Sequence, residues 1–213
     1  MLVIPNYSLG GMKHDDPLVL AVAAATDGVL SEAGLSDYGC QPHCLAGADW
    51  LERIQFGLAL QAMGVAYYPI NEIGDVKHPG NWTLPCSEDP LNCITRAQRE
   101  YVVGSYLLLK NNASAVYISG VQQYGGWPKC EPECGADVGA ATGPAAVDQK
   151  TGVWSRWFQR AFVLVNPAAP PAAAVTVPLQ NDVFTYKDVY GKAVTGSVEL
   201  GAASAAILLV TPK

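Results

Sequence analysis

The chain has 213 residues, enough to bury a sizeable core in one large domain or in one medium and one small domain. Half of its residues are hydrophobic and 15% are charged, which excludes a disordered or fibrous protein. A net charge of -6 argues against nucleic acid and anionic membrane as partners, and no apolar run reaches the roughly 18 residues that a bilayer span needs, so a neutral substrate is the expected match.

Residues 2–7 read as a first strand, closed by the Gly10-Gly11 turn. Asp16-Pro17 then opens a helix over 18–25, with the acid as cap and proline in the first turn. A second strand over 26–32 ends on Glu32, followed at once by turn-forming residues. Asp49 is placed to cap a helix over 50–63 that Gly64 ends, and 65–73, reading VAYYPINEI, is the third strand. Thr95 caps a helix over 96–109, with Gln98 completing a capping box, and 114–121 is the fourth strand. Four strands alternating with three helices of crossover length carry the signature of parallel βα units. That is half the element count of an eight-stranded barrel.

From about Pro128 the composition turns rich in Gly, Pro and Ala, and short strands follow over 153–158, 161–165, 174–177, 183–186, 193–200 and 205–210. Asn166-Pro167 and Tyr190-Gly191 punctuate them as turns. The expected fold is therefore α/β, half of a (β/α)8-type barrel over residues 1–127, then a linker and small antiparallel β domain over 128–213.

The six cysteines fall in three close pairs, Cys40 with Cys44, Cys86 with Cys93 and Cys130 with Cys134. An even count clustered in Gly/Pro-rich loops reads as three local disulfides and so as a secreted or extracellular protein. Zinc ligation is the competing reading, weakened by the long intervening chain. The first residues look like a strand and not a secretory leader, so this destination implies a leader removed or a longer gene. Asn81-Trp82-Thr83 and Asn112-Ala113-Ser114 match the glycosylation acceptor pattern. His14, His43 and His78 share no ligand spacing, and nothing in the sequence requires a cofactor or a resident metal. A serine-hydrolase elbow, a phosphate loop and a dinucleotide fingerprint are all absent from the sequence.

The tail WSRWFQRAFVLVNP at 154–167, then FTYKDVYGKAV and the last strand ASAAILLV, resembles the end of barrel glycoside hydrolases. It is most similar to the hypothetical glycoside hydrolase families in which an Arg-x-Phe-x-x-Gly-x-Val-Leu-Val-Asn-Pro strand closes the barrel region and leads into a β domain. Ala161 replaces the glycine of that pattern, while Arg156 and Phe158 keep their places, and DGVLSE at 27–32 resembles the DGV(M/F)xE strand of the same families. The resemblance implies the C-terminal half of a barrel plus a β domain, and an activity on glycosides.

Glycosidases work with two carboxyls across a sugar ring, about 5 to 5.5 Å apart for retention and roughly 6.5 to 9.5 Å for inversion. Glu32 and Glu72 end neighbouring predicted strands and form the expected pair, Glu32 as acid/base, with Asp75 the substitute for Glu72. Aromatic platforms and amides at the strand ends supply the expected sugar contacts: Asn6, Tyr7, Tyr38, Asn71, Tyr117, Gln122, Tyr124 and Trp127. The expected partner is a polysaccharide or oligosaccharide, and two chains meeting edge to edge would rebuild an eight-stranded barrel as a homodimer. From another class, a non-catalytic carbohydrate-binding or assembly protein fits the same residues.

Overall fold

The computed structural model describes residues 2–6, 13–32, 34–36, 44–73, 95–120 and 132–213, with the backbone alone for 119 and 120. The chain divides into two compact units, one of Met1–Thr95 with Leu109–Lys129, the other of Arg96–Leu108 with Cys130–Lys213.

In the first unit, Asp16 caps helix α1 (Pro17–Ala24), its carboxylate accepting from the Leu18 and Val19 amides at 2.8 and 3.4 Å. Strand β1 (Gly28–Ser31) leads to helix α2 (Gly47–Ala62), then strand β2 (Ala66–Ile73) and strand β3 (Tyr117–Gly120). The order β1-β2-β3 makes a three-stranded parallel sheet, Ser31 level with Pro69 and Ile70 level with Tyr117. One face carries Val29, Tyr67, Ile73 and Ile118, all buried, and Phe56 of α2 meets the Tyr67 ring edge-on at 6.2 Å. Helix α2 starts before Asp49, which stands in its first turn and favours the positive end of the helix dipole without capping it.

The half barrel of four parallel βα units is not what the chain builds: the described residues hold three parallel strands and three helices. Residues 2–6 form no strand. Pro5 has no N–H for a ladder, and the segment touches β1 and the residue before it through the Asn6–Leu30 bridge and hydrogen bonds from the Asp27 and Leu30 amides to the Val3 and Pro5 carbonyls, each at 3.0 Å. At the other end, residues 114–116 leave the ladder because the Asn111 side-chain oxygen accepts from the Ala113 and Ser114 amides, a turn that competes with extended pairing. The half barrel on which the homodimer expectation rests is not formed by the described residues.

The third helix, α3 (Arg96–Leu109), was expected to cross over the parallel sheet, yet its residues 96–108 belong to the second unit. Two antiparallel sheets accompany it. The larger has strands β4 (Ala146–Val147), β5 (Trp154–Trp157), β6 (Ala161–Asn166), β8 (Phe184–Asp188), β9 (Ala193–Val194) and β11 (Ser204–Pro212), in the order β4-β5-β6-β11-β8-β9. The smaller pairs β7 (Val175–Pro178) with β10 (Ser197–Leu200). Gly196, at a φ of 77°, splits the single strand predicted over 193–200 into β9 and β10.

Alternation decides the layers of this unit. Leu164, Leu208, Tyr186 and Val210 point to one side and form a core with Leu200, against which Val175, Val177 and Val198 pack. On the other side α3 comes so close that a Cβ on Gly104 would lie 2.8 Å from the Ala205 Cβ. Arg156 is buried there too, donating to the Leu107 and Leu108 carbonyls at 3.1 and 2.8 Å and so capping the end of α3. Burial pushes its pKa down.

Candidate functional site

The parallel sheet has a second face, opposite α2, and it is only half-buried. Tyr68, Ile70 and Glu72 of β2 lie on it, with Leu30 of β1 beside Tyr68 and Tyr117 of β3 beside Ile70. Asn6 stands level with Leu30 and is exposed. The Tyr68 ring crosses β1 at Gly28, where a Cβ would meet Tyr68 Cε2 at 2.7 Å, so the missing side chain is what lets the aromatic ring lie along the sheet. Three of the expected site residues, Asn6, Glu72 and Tyr117, therefore share one surface.

Glu32 sits at its rim as the first turn residue after β1, exposed to solvent. The β1–β2 register ends at the Ser31–Pro69 pair, one residue before Glu32 and three before Glu72. Two carboxylates thus border a patch bearing Tyr68 and Tyr117.

Asn71 does not join that patch. It is fully buried on the α2 side, where its side-chain oxygen accepts from the Leu35 and Ser36 amides at 2.6 and 3.1 Å. Its amide nitrogen donates to the Pro69 and Tyr117 carbonyls, each at 3.1 Å. Every strong hydrogen-bonding direction of this side chain is spent on backbone, which ties the turn after β1 to β2 and β3. Ser36 adds a bond from its hydroxyl to the Glu72 carbonyl at 3.3 Å. Tyr7, Tyr38, Asp75, Gln122, Tyr124 and Trp127 lie outside the described residues, as do Cys40, Cys86, Cys93 and Cys130; neither Cys44 nor Cys134 is a free thiol.

A charged cluster in the second unit was not anticipated. Glu133, whose side chain is fully buried, accepts from Arg99 Nε at 3.1 and 3.2 Å and from the Tyr190 hydroxyl. Arg96 lies 3.5 Å from the centre of the Tyr190 ring and bridges Glu100 and Asp188 through Nη2, at 3.1 and 2.9 Å. Burial raises the Glu100 pKa, and the neighbouring Glu133 and Asp188 charges raise it further against the pull of Arg96. At Asp188 burial works the same way but is overcome by Arg96 and the Lys192 and Tyr190 amides, leaving the pKa lowered. Burial and the bond to Glu133 push the Tyr190 hydroxyl up to about 12.

Arg96, Glu100 and Asp188 also line a cavity of about 440 Å³ with Lys192. The Arg96 and Glu100 spacing is readable as a helical i,i+4 pair. The partners that Arg96 and Arg99 find 34 to 92 residues away leave no local trace.

Among the described residues no group of His, Cys, Asp or Glu is arranged to hold a metal, and no helix is long and apolar enough to cross a membrane. The chain matches no protein-family model, and a comparison with curated proteins yields no match.

Proposed function

We propose that this protein binds a polysaccharide or oligosaccharide on the half-buried second face of its parallel sheet and hydrolyses a glycosidic bond there, with Glu32 and Glu72 as the carboxylate pair. The supporting observation is the shared surface: Tyr68 and Tyr117 offer apolar rings for a pyranose face, Glu72 stands in line with Tyr68, and Glu32 borders the same patch. Paired carboxyls support hydrolysis by an inverting mechanism when a water fits between them. In that mechanism one carboxylic acid protonates the departing glycosidic oxygen while the other carboxylate takes a proton from the attacking water. Glu32 serves as the acid and Glu72 as the base. An extracellular setting agrees with the exposed acceptor Asn112 and with the absence of a free thiol among the described cysteines.

Reducing-sugar release from glucans, xylans and galactans tests the reading. Release is expected from at least one of them, and Glu32→Gln and Glu72→Gln should each abolish it; unchanged release in both variants refutes the pair. The exposure of Glu32 in a turn favours a second reading, carbohydrate binding without hydrolysis. Polysaccharide retention that Tyr68→Ala weakens, with no release by the wild-type protein, would select it.

A further inference from the structure

The second unit carries an aromatic cavity that the carboxylate pair does not explain. Trp157 of β5 stacks on Phe162 of β6 with ring centres 4.1 Å apart and planes 16° from parallel, and Phe184 of β8 continues the row 5.4 Å from Trp157. These rings lie on the core face of the larger sheet, but all three are only half-buried. Beyond Trp157 and Phe184 opens a cavity of about 380 Å³, within the size range of small-molecule sites.

Its polar lining is Thr142, Gln159 and Gln180, and no ionisable side chain lines it. Gln159 is oriented: its Oε1 accepts from the Ala140 amide at 3.2 Å, which turns the amide nitrogen outward as a donor. The side chains of Gln180 and Thr142 make no hydrogen bond among the described residues. Backbone bonds hold the walls, Thr142 N to the Trp157 carbonyl at 3.0 Å and Gln159 N to the Ala140 carbonyl at 2.9 Å, so the cavity is formed before a ligand arrives.

From this lining we infer that the β unit holds a separate binding site for a neutral sugar, a pyranose unit of an uncharged polysaccharide. A pyranose offers an apolar C–H face to an indole or phenyl ring and a rim of hydroxyls to planar amides, and this site presents those two surfaces together. A phosphate, a uronic acid or an acidic peptide would enter without a counter-charge. The site is built from residues of the second unit alone and does not depend on hydrolysis at the parallel sheet.

The test is affinity electrophoresis of the full chain in gels holding β-glucan, xylan, mannan or galactan, with alginate and polygalacturonate as charged counterparts. Retardation is expected in at least one neutral gel and in neither charged one. Gln159→Ala combined with Gln180→Ala changes only exposed side chains, so it should keep the wild-type Tm and weaken retention at least tenfold. Trp157→Ala should do the same where it folds. The Gln159 and Gln180 double variant should keep wild-type sugar release from short oligosaccharides, so sugar release and retention fail separately. The inference is overturned if no neutral gel retards the protein, if the charged gels retard it equally, or if the double variant is retained as well as the wild type.

Discussion

Asn71→Ala separates a scaffold role from a ligand role at the residue that joins the turn after β1 to the sheet. The substitution removes one oxygen that serves two buried amides, Leu35 N and Ser36 N, and two donor bonds to the Pro69 and Tyr117 carbonyls. Each orphaned buried amide costs roughly 1–3 kcal/mol, so the pair should cost about 3 kcal/mol even after local relaxation. With a urea m-value of about 2 kcal/mol/M, the unfolding midpoint of the first unit should fall by about 1.5 M. Tryptophan fluorescence reports it through Trp50, which is fully buried in α2, and hydrogen exchange should show the Leu35 and Ser36 amides losing protection. Asn71→Asp keeps the acceptor but sets a carboxylate against two carbonyl oxygens. Its loss should therefore shrink as the pH falls and the buried acid takes up a proton that it can donate. A cost below about 0.5 kcal/mol for Asn71→Ala, within the range of ordinary surface substitutions, would refute the reasoning, and weakened sugar binding at full stability would make Asn71 a ligand contact.

Three further outcomes are expected. Arg99→Ala leaves Glu133 buried without its cation and should cost about 3–5 kcal/mol in urea unfolding of the second unit, whereas Arg99→Met with Glu133→Leu should recover most of it; equal losses in the two proteins would contradict a charge-pairing role. Gly104→Ala should destabilise by about 1–3 kcal/mol, because a Cβ 2.8 Å from that of Ala205 forces α3 off the sheet; a rise in Tm would show that helix propensity outweighs the crowding. The raised pKa of Glu100 means that its contribution to stability is complete below 4.5 and is lost as the pH rises through the folded value. Glu100→Gln, which keeps an acceptor for Arg96 but cannot ionise, should gain in Tm relative to the wild type as the pH rises from below 4.5 towards neutrality, and a pH-independent difference would exclude this origin.

Strands and helices were legible where residue pattern and local chemistry agreed. Asp16-Pro17 marks the start of α1, and the alternation of AYYPINEI marks β2, with Glu72 on the face of Tyr68 and Ile70. The same alternation assigns Asn71 to the opposite face, and its buried bonds follow from that. What misled was apolar character without the means to pair: residues 2–6 look like a strand, but Pro5 lacks a donor and no continuous ladder forms. The destination of α3 was illegible because its apolar periodicity says that it packs on a sheet, not on which one. Contacts from Gly104 to Ala205 and from Arg156 to Leu108 settle that choice, and they span 101 and 48 residues of sequence. The Arg99, Glu133 and Tyr190 cluster was hidden for the same reason.

The ownership of α3 bears on how the gene can be dissected. A fragment ending near residue 127, where composition suggests a clean boundary, would carry a helix whose buried side chains have lost the strands they press against. The complementary fragment would expose the underside of its main sheet and leave the Arg156 guanidinium with no helix end to hold. Both pieces would be sticky, and a researcher seeking the β unit alone should retain residues 96–108 through a circular permutation or a linker.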